Sequence, residues 1–283
     1  MMYNLITTGQ GIPARLAPLL AEVFDIPLGD VDVSEESDLD SRNWGAEVTC
    51  EYSAVRGDLD WSMSFYTTDA VQSRPSEEAL ALKVAQSFGV AVLFPGTETV
   101  PNVWRVATSR GGLTRARVTE PEDEAAELTI DAVEDSVSEF PRATVTKFPE
   151  IIKELQLPSE VTDAHLPEGI SEDRREVRGL LVNWERLTVR MATGWPPSAW
   201  YPAAMYVADL ELRDQTTEVI EQLPADEQRS AKEALERIDQ TYRALTVEDG
   251  GENLAKNVNV SVAGRAWYWH RRPPTAPWDI PGE

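Results

Sequence analysis

Cysteine is almost absent: Cys50 stands alone among 283 residues. An intramolecular disulfide is impossible, and a thiolate metal cluster within one chain is excluded. Histidine is nearly as scarce, with His165 and His270 each isolated from other ligand types at metal spacing, so a zinc site would need distant carboxylates. No stretch approaches the roughly 18 apolar residues needed to span a bilayer. Residues 1–10 carry no basic segment ahead of an apolar core. Together these absences predict a soluble, cytoplasmic protein with no membrane partner. Catalytic signatures are missing too: there is no Gly-x-Ser-x-Gly elbow, Walker loop or Gly-x-Gly-x-x-Gly fingerprint. Bases are in deficit, 26 against 49 acids, for a net charge of −23. A field of that sign repels nucleic acid and anionic headgroups and attracts basic protein surfaces.

What is present is an acidic run at 120–139, with nine carboxylates and no Lys or Arg, preceded by a segment of net −7 and followed by another of −7. The grammar on its two sides differs. The reading is therefore an α+β domain over 1–119, an acidic connector over 120–139, and a mainly helical domain with an extended C-terminal tail over 140–283.

In the first part, 3–8 is β-prone and ends at Gly9 and Gly11. A helix follows Pro13, because Leu16, Leu19, Leu20 and Val23 recur at helical spacing until Ile26-Pro27. Strands are predicted at 46–55 and 59–67, with Arg56-Gly57-Asp58 as the turn. Ser76 reads as an N-cap, with Glu77 and Glu78 in the first turn and Gly89 as the stop. A buried strand at 90–94 and a hairpin joining 103–109 to 113–118 through Gly111-Gly112 complete a mainly antiparallel sheet with two helices. The acid-rich stretch from Asp30 fails as a calcium loop, since Glu35 and Ser41 occupy the positions that require Gly and Glu.

Beyond the run, helices are predicted at 148–155, 175–192 and 201–223, the last with a stripe that Arg213 and Asp214 interrupt. The next is clearer: Ala231, Ala234, Leu235, Ile238, Tyr242 and Leu245 form one apolar face, and Leu223-Pro224-Ala225 folds the pair into a hairpin. Gly250-Gly251 closes the helical part, and the proline-rich end is expected to run extended over the domain.

No catalytic, metal or cofactor-binding residue emerges, and no cofactor is implied. Cys50 is readable as a nucleophile but fits better as a buried strand residue. The tryptophans concentrate around Gly194-Trp195-Pro196-Pro197, with Trp200 nearby, and in the tail, where Trp267, Tyr268 and Trp269 sit beside Arg271 and Arg272. Packing against the helices, stacking of bases and anchoring of a protein partner are three uses of such a set. As partner anchors the candidates are Trp195, Trp200, Trp267, Trp269 and Arg271.

The segment Tyr3-Asn4-Leu5-Ile6-Thr7-Thr8-Gly9, the strand around Trp61-Ser62-Met63-Ser64, and the terminal Trp267-Tyr268-Trp269-His270-Arg271-Arg272 together resemble uncharacterised two-part actinobacterial proteins in the style of polymorphic-toxin immunity proteins. The resemblance implies an acidic cytoplasmic inhibitor that occludes a toxin domain, and no functional residue carries over from it. The alternatives are an adaptor or regulatory binding protein, and an enzyme whose site is assembled from scattered carboxylates, Arg and Tyr.

Overall fold

Burial alternates along strand β1 (Met2–Thr7), which puts Tyr3 and Leu5 in the core and Asn4 on the other face. The structure is a computed structural model that describes residues 1–96, 100–119, 127–167 and 172–278. It divides into two compact units, Met1–Phe148 and Pro149–Glu283, and is α+β with a helical C-terminal half.

In the first unit, helix α1 (Pro13–Phe24) is followed by strands β2 (Val31–Glu35), β3 (Val48–Ala54), β4 (Arg56–Gly57) and β5 (Trp61–Thr67). Helix α2 (Glu77–Phe88) begins where the sequence predicts: Ser76 accepts the Ala79 N–H at 3.1 Å, and Gly89 ends the helix at φ +69°. Strands β6 (Val92–Phe94), β7 (Val103–Ala107), β8 (Leu113–Thr119), β9 (Glu127–Val133) and β10 (Thr144–Val145) complete the sheet. Its order is β10-β9-β8-β7-β6-β1-β5-β3-β2, mostly antiparallel, with β2–β3 and β9–β10 parallel. One face packs Leu5, Phe65 and Cys50 against Leu16 and Leu20 of α1 and Val84 of α2. On the other, Leu93, Val106, Ile130 and Val133 meet Leu59, Val137 and Phe140.

The acidic run is not a connector in the part described. From Glu127 it is a strand, paired antiparallel to β8, and the units divide at Phe148 rather than within 120–139; 120–126 lie outside the described residues. The reason is a period-2 apolar pattern beneath the charge, which buries Ile130 and Ala132. The neighbouring strand supplies the missing cation, because Arg115 holds the buried Glu134 at 2.8 Å.

In the second unit, α3 (Pro149–Glu154), α4 (Glu160–His165), α5 (Glu172–Ala192), α6 (Ala203–Ile220) and α7 (Ala225–Leu245) pack around Trp184, Leu210, Ile238 and Tyr242. Helix α4, unforeseen in the sequence, is capped from α5. Glu185 accepts the backbone N–H groups of Val161 at 2.7 Å and Thr162 at 2.8 Å, and the Thr162 hydroxyl at 2.7 Å. A further helix, α8 (Glu252–Val258), follows Gly251, so Gly250-Gly251 does not close the helical part. The tail then returns as β12 (Arg271–Arg272), paired to β11 (Val247–Glu248).

Candidate functional site

Two places combine exposed or unspent chemistry with a fixed scaffold. The first is the connection between β2 and β3. Strand β2 ends the sheet order, and the loop after it returns over the turn at Leu28–Asp30, tied by Asn43 Nδ2 to the Gly29 carbonyl at 3.2 Å and by the Asn43 N–H to Asp32 at 2.9 Å. Arg42 clamps the loop from beneath: its guanidinium pairs with Glu51, reaches the carbonyls of Glu35 and Glu36, and lies 5.4 Å from the centre of the Trp44 ring. Trp44 is nevertheless 73 % exposed, and Leu39 and Leu28 are 58 % and 56 % exposed. The same segment, 28–47, carries Asp30, Asp32, Glu35, Glu36, Asp38, Asp40 and Glu47, while its one base, Arg42, is spent internally. The result is an exposed tryptophan on a hydrogen-bonded, acid-rich loop.

The second is a cleft of about 420 Å³ in the other unit. Asn183, Arg186, Leu187 and Arg190 recur at three- and four-residue spacing on α5, so they share one face. On α6, Ala204, Met205, Ala208 and Asp209 do the same. The corner between these helices is set by Gly194 at φ +80°, which lets the Trp195 N–H reach back to the Arg190 carbonyl at 2.8 Å. That turn delivers Tyr201 to Asp209, whose Oδ2 accepts the phenol at 2.6 Å while Oδ1 accepts Asn183 at 3.1 Å. Burial pushes the Asp209 carboxyl up to about 6, against the lowering by these two bonds and by Arg190. Burial also lowers the Arg190 pKa, with Arg186 acting in the same direction against Tyr201 and Asp209. Arg190 donates to the carbonyls of Pro196, Ile152 and Leu155.

The candidate anchors read from the sequence go to the fold. Trp269 is fully buried and its indole N–H meets Asp214 at 3.0 Å. Trp195 is buried with its ring 5.2 Å from Tyr201, and Trp200 packs against the same core. Trp267 lies under Arg243 at 3.8 Å. Arg271 donates to Thr246 and to the Arg243 carbonyl, and pairs with Glu248 at 3.2 Å. A partner seated on Trp195 or Trp269 would have to open the core. Arg213 and Asp214, which interrupt the stripe of α6, find their partners within the helical unit. Arg213 forks onto Asp239 at 2.8 and 3.1 Å, and Asp214 accepts the Tyr268 hydroxyl at 2.5 Å.

Cys50 is fully buried in β3, and its thiol pKa is raised by burial, then by Asp32 and Glu51, which keeps it protonated at neutral pH. Among the described residues no group of His, Cys, Asp and Glu is placed to hold a metal ion, and no helix is long and apolar enough to cross a membrane.

Neither Trp44 nor the cleft was read from the sequence. A signal existed for each: a tryptophan between Asn43 and Gly45, with no periodic apolar neighbour to pack on, and polar residues at positions 183, 186 and 190 of one helix face. No protein-family model, curated protein or solved structure matches the chain.

Proposed function

We propose that the chain is a protein-binding inhibitor that docks a basic protein domain through the β2–β3 connection and occludes it, in the manner of an immunity protein. The observation that carries this reading is Trp44, exposed on an acid-rich loop that Arg42, Asn43 and Asp32 hold in place. A tryptophan presented by an ordered loop loses little conformational entropy on binding, and Trp is enriched among the few residues that dominate interface energy. The acids of the same segment select a partner with an apolar pocket rimmed by Lys and Arg, and they speed encounter more than they slow release. The resemblance of the chain to immunity-type proteins supports the inhibitor form over an adaptor, which would use the same face without abolishing a toxic activity.

The test is co-expression with a toxin-like domain encoded beside this gene, with growth and binding measured across a salt series. Rescue of growth is expected, with an on-rate that falls as the Debye length shrinks from about 30 Å at 0.01 M to about 8 Å at physiological salt. Trp44→Ala should weaken binding by roughly 2 kcal/mol or more, mainly through faster dissociation, while the unfolding curve stays within about 0.5 kcal/mol of the parent. Undiminished affinity in Trp44→Ala places the interface elsewhere. Rescue without binding moves the reading to an enzyme that consumes a toxin product.

A further inference from the structure

The cleft of the second unit inverts the charge balance of the chain. Overall there are 26 bases against 49 acids, yet this cleft is lined by Lys153, Arg186 and Arg190 against Asp209 alone. Its hydrogen-bonding groups divide into those already spent and those not. Asp209 is taken by Tyr201 and Asn183, and Arg190 donates to three backbone carbonyls. Arg186 uses only Nε, which donates to the Leu157 carbonyl at 3.0 Å. That bond fixes the guanidinium while its two Nη groups have no partner among the described residues. Lys153, exposed in the last turn of α3, forms no ion pair among the described residues either. The unspent cations therefore stand beside an apolar wall that includes Leu187 and Met205. A volume of about 420 Å³ suits a small organic molecule.

We propose that this cleft binds a small organic carboxylate, with its head group on the Nη atoms of Arg186 and the ammonium of Lys153 and its apolar body against Leu187 and Met205. A guanidinium fork with both Nη groups unspent matches the two oxygens of a carboxylate, and the apolar wall favours an organic anion over inorganic phosphate. Arg190, which lines the same cleft, adds positive charge while its Nη groups stay on the carbonyls of Pro196, Ile152 and Leu155. The proposed docking loop belongs to the other unit and is not involved.

Hexanoate is a direct probe, titrated calorimetrically into the full-length protein at neutral pH, with hexanamide and inorganic phosphate as comparisons. Saturable binding of hexanoate is expected, with hexanamide and phosphate each weaker by roughly tenfold or more. Arg186→Gln should reduce hexanoate affinity by roughly ten- to a hundredfold. Because that change also touches the Leu157 contact, Lys153→Glu supplies a second variant at an exposed position, expected to weaken binding by about tenfold with an unchanged thermal unfolding curve. Absence of saturable hexanoate binding, equal binding of hexanamide, tighter binding of phosphate, or full affinity in Lys153→Glu would each overturn the assignment.

Discussion

At the residue scale, Asp209 shows how placement changes chemistry. A carboxyl ordinarily near 3.8 is pushed up to about 6 because burial penalises its charge more than Tyr201, Asn183 and Arg190 favour it. The folded state therefore binds the Asp209 proton more tightly than the unfolded chain does. Its stabilising contribution is complete below the unfolded value and is lost as pH rises towards about 6. At about 1.4 kcal/mol per unit the full loss is on the order of 3 kcal/mol. Asp209→Asn keeps the shape and removes the titration. Urea unfolding of the two proteins between pH 4 and pH 6, roughly the window of the shift, should show the parent losing stability with rising pH relative to the variant. Parallel pH profiles would mean that Asp209 titrates alike in both states.

At the element scale, the turn between β3 and β5 is more than a hairpin connection. Arg56 and Gly57 form β4, which pairs in parallel with Glu127 and Leu128 of β9, a strand far along the sheet order from β5. The Asp58 N–H donates to the Leu128 carbonyl at 2.9 Å, and the Asp58 carboxylate accepts the Ile130 N–H at 2.9 Å. Only glycine allows this approach: a Cβ on Gly57 would lie 2.3 Å from the Leu128 carbonyl oxygen, at φ +103°. Gly57→Ala should destabilise the first unit by roughly 1–3 kcal/mol through strain, and further if the β4–β9 pairing opens. Gly29→Ala meets no atom within 4 Å and should stay within about 0.5 kcal/mol. Chemical denaturation of both variants checks the contrast, and equal stability would show that β4 shifts freely.

At the scale of the whole molecule, the two units keep separate cores. The clusters around Phe65 and Val106 lie within Met1–Phe148, and the one around Trp184 lies within Pro149–Glu283. A fragment spanning Met1–Phe148 should unfold cooperatively by itself. A fragment ending at Thr119 should not, since it lacks Ile130, Val133, Val137 and Phe140 of the second face and the strand that pairs with both β8 and β4. Circular dichroism during thermal unfolding separates the two. A cooperative transition in the shorter fragment would return the boundary to the start of the acidic run.

By itself the sequence determined the local elements whose signals are self-contained. The Ser76 cap, the Gly89 stop, the Gly111-Gly112 hairpin and the apolar face of α7 depend on neighbours within a few residues, and all lie where the pattern puts them. Tertiary structure decided whatever needed a distant partner. Strand β9 is hidden by the charge of the acidic run it belongs to, and only the fold brings Arg115 of β8 to Glu134, just beyond its end. The polar break in α6 becomes a core ion pair only when Asp239 of α7 arrives. Helix α4 depends on a carboxylate from α5, 23 residues on from Thr162. The same holds for both candidate sites. Whether Trp269 is an anchor or a core residue, and whether Arg186 faces solvent or a cleft, depends on what the rest of the chain places over each, and no local pattern carries that information.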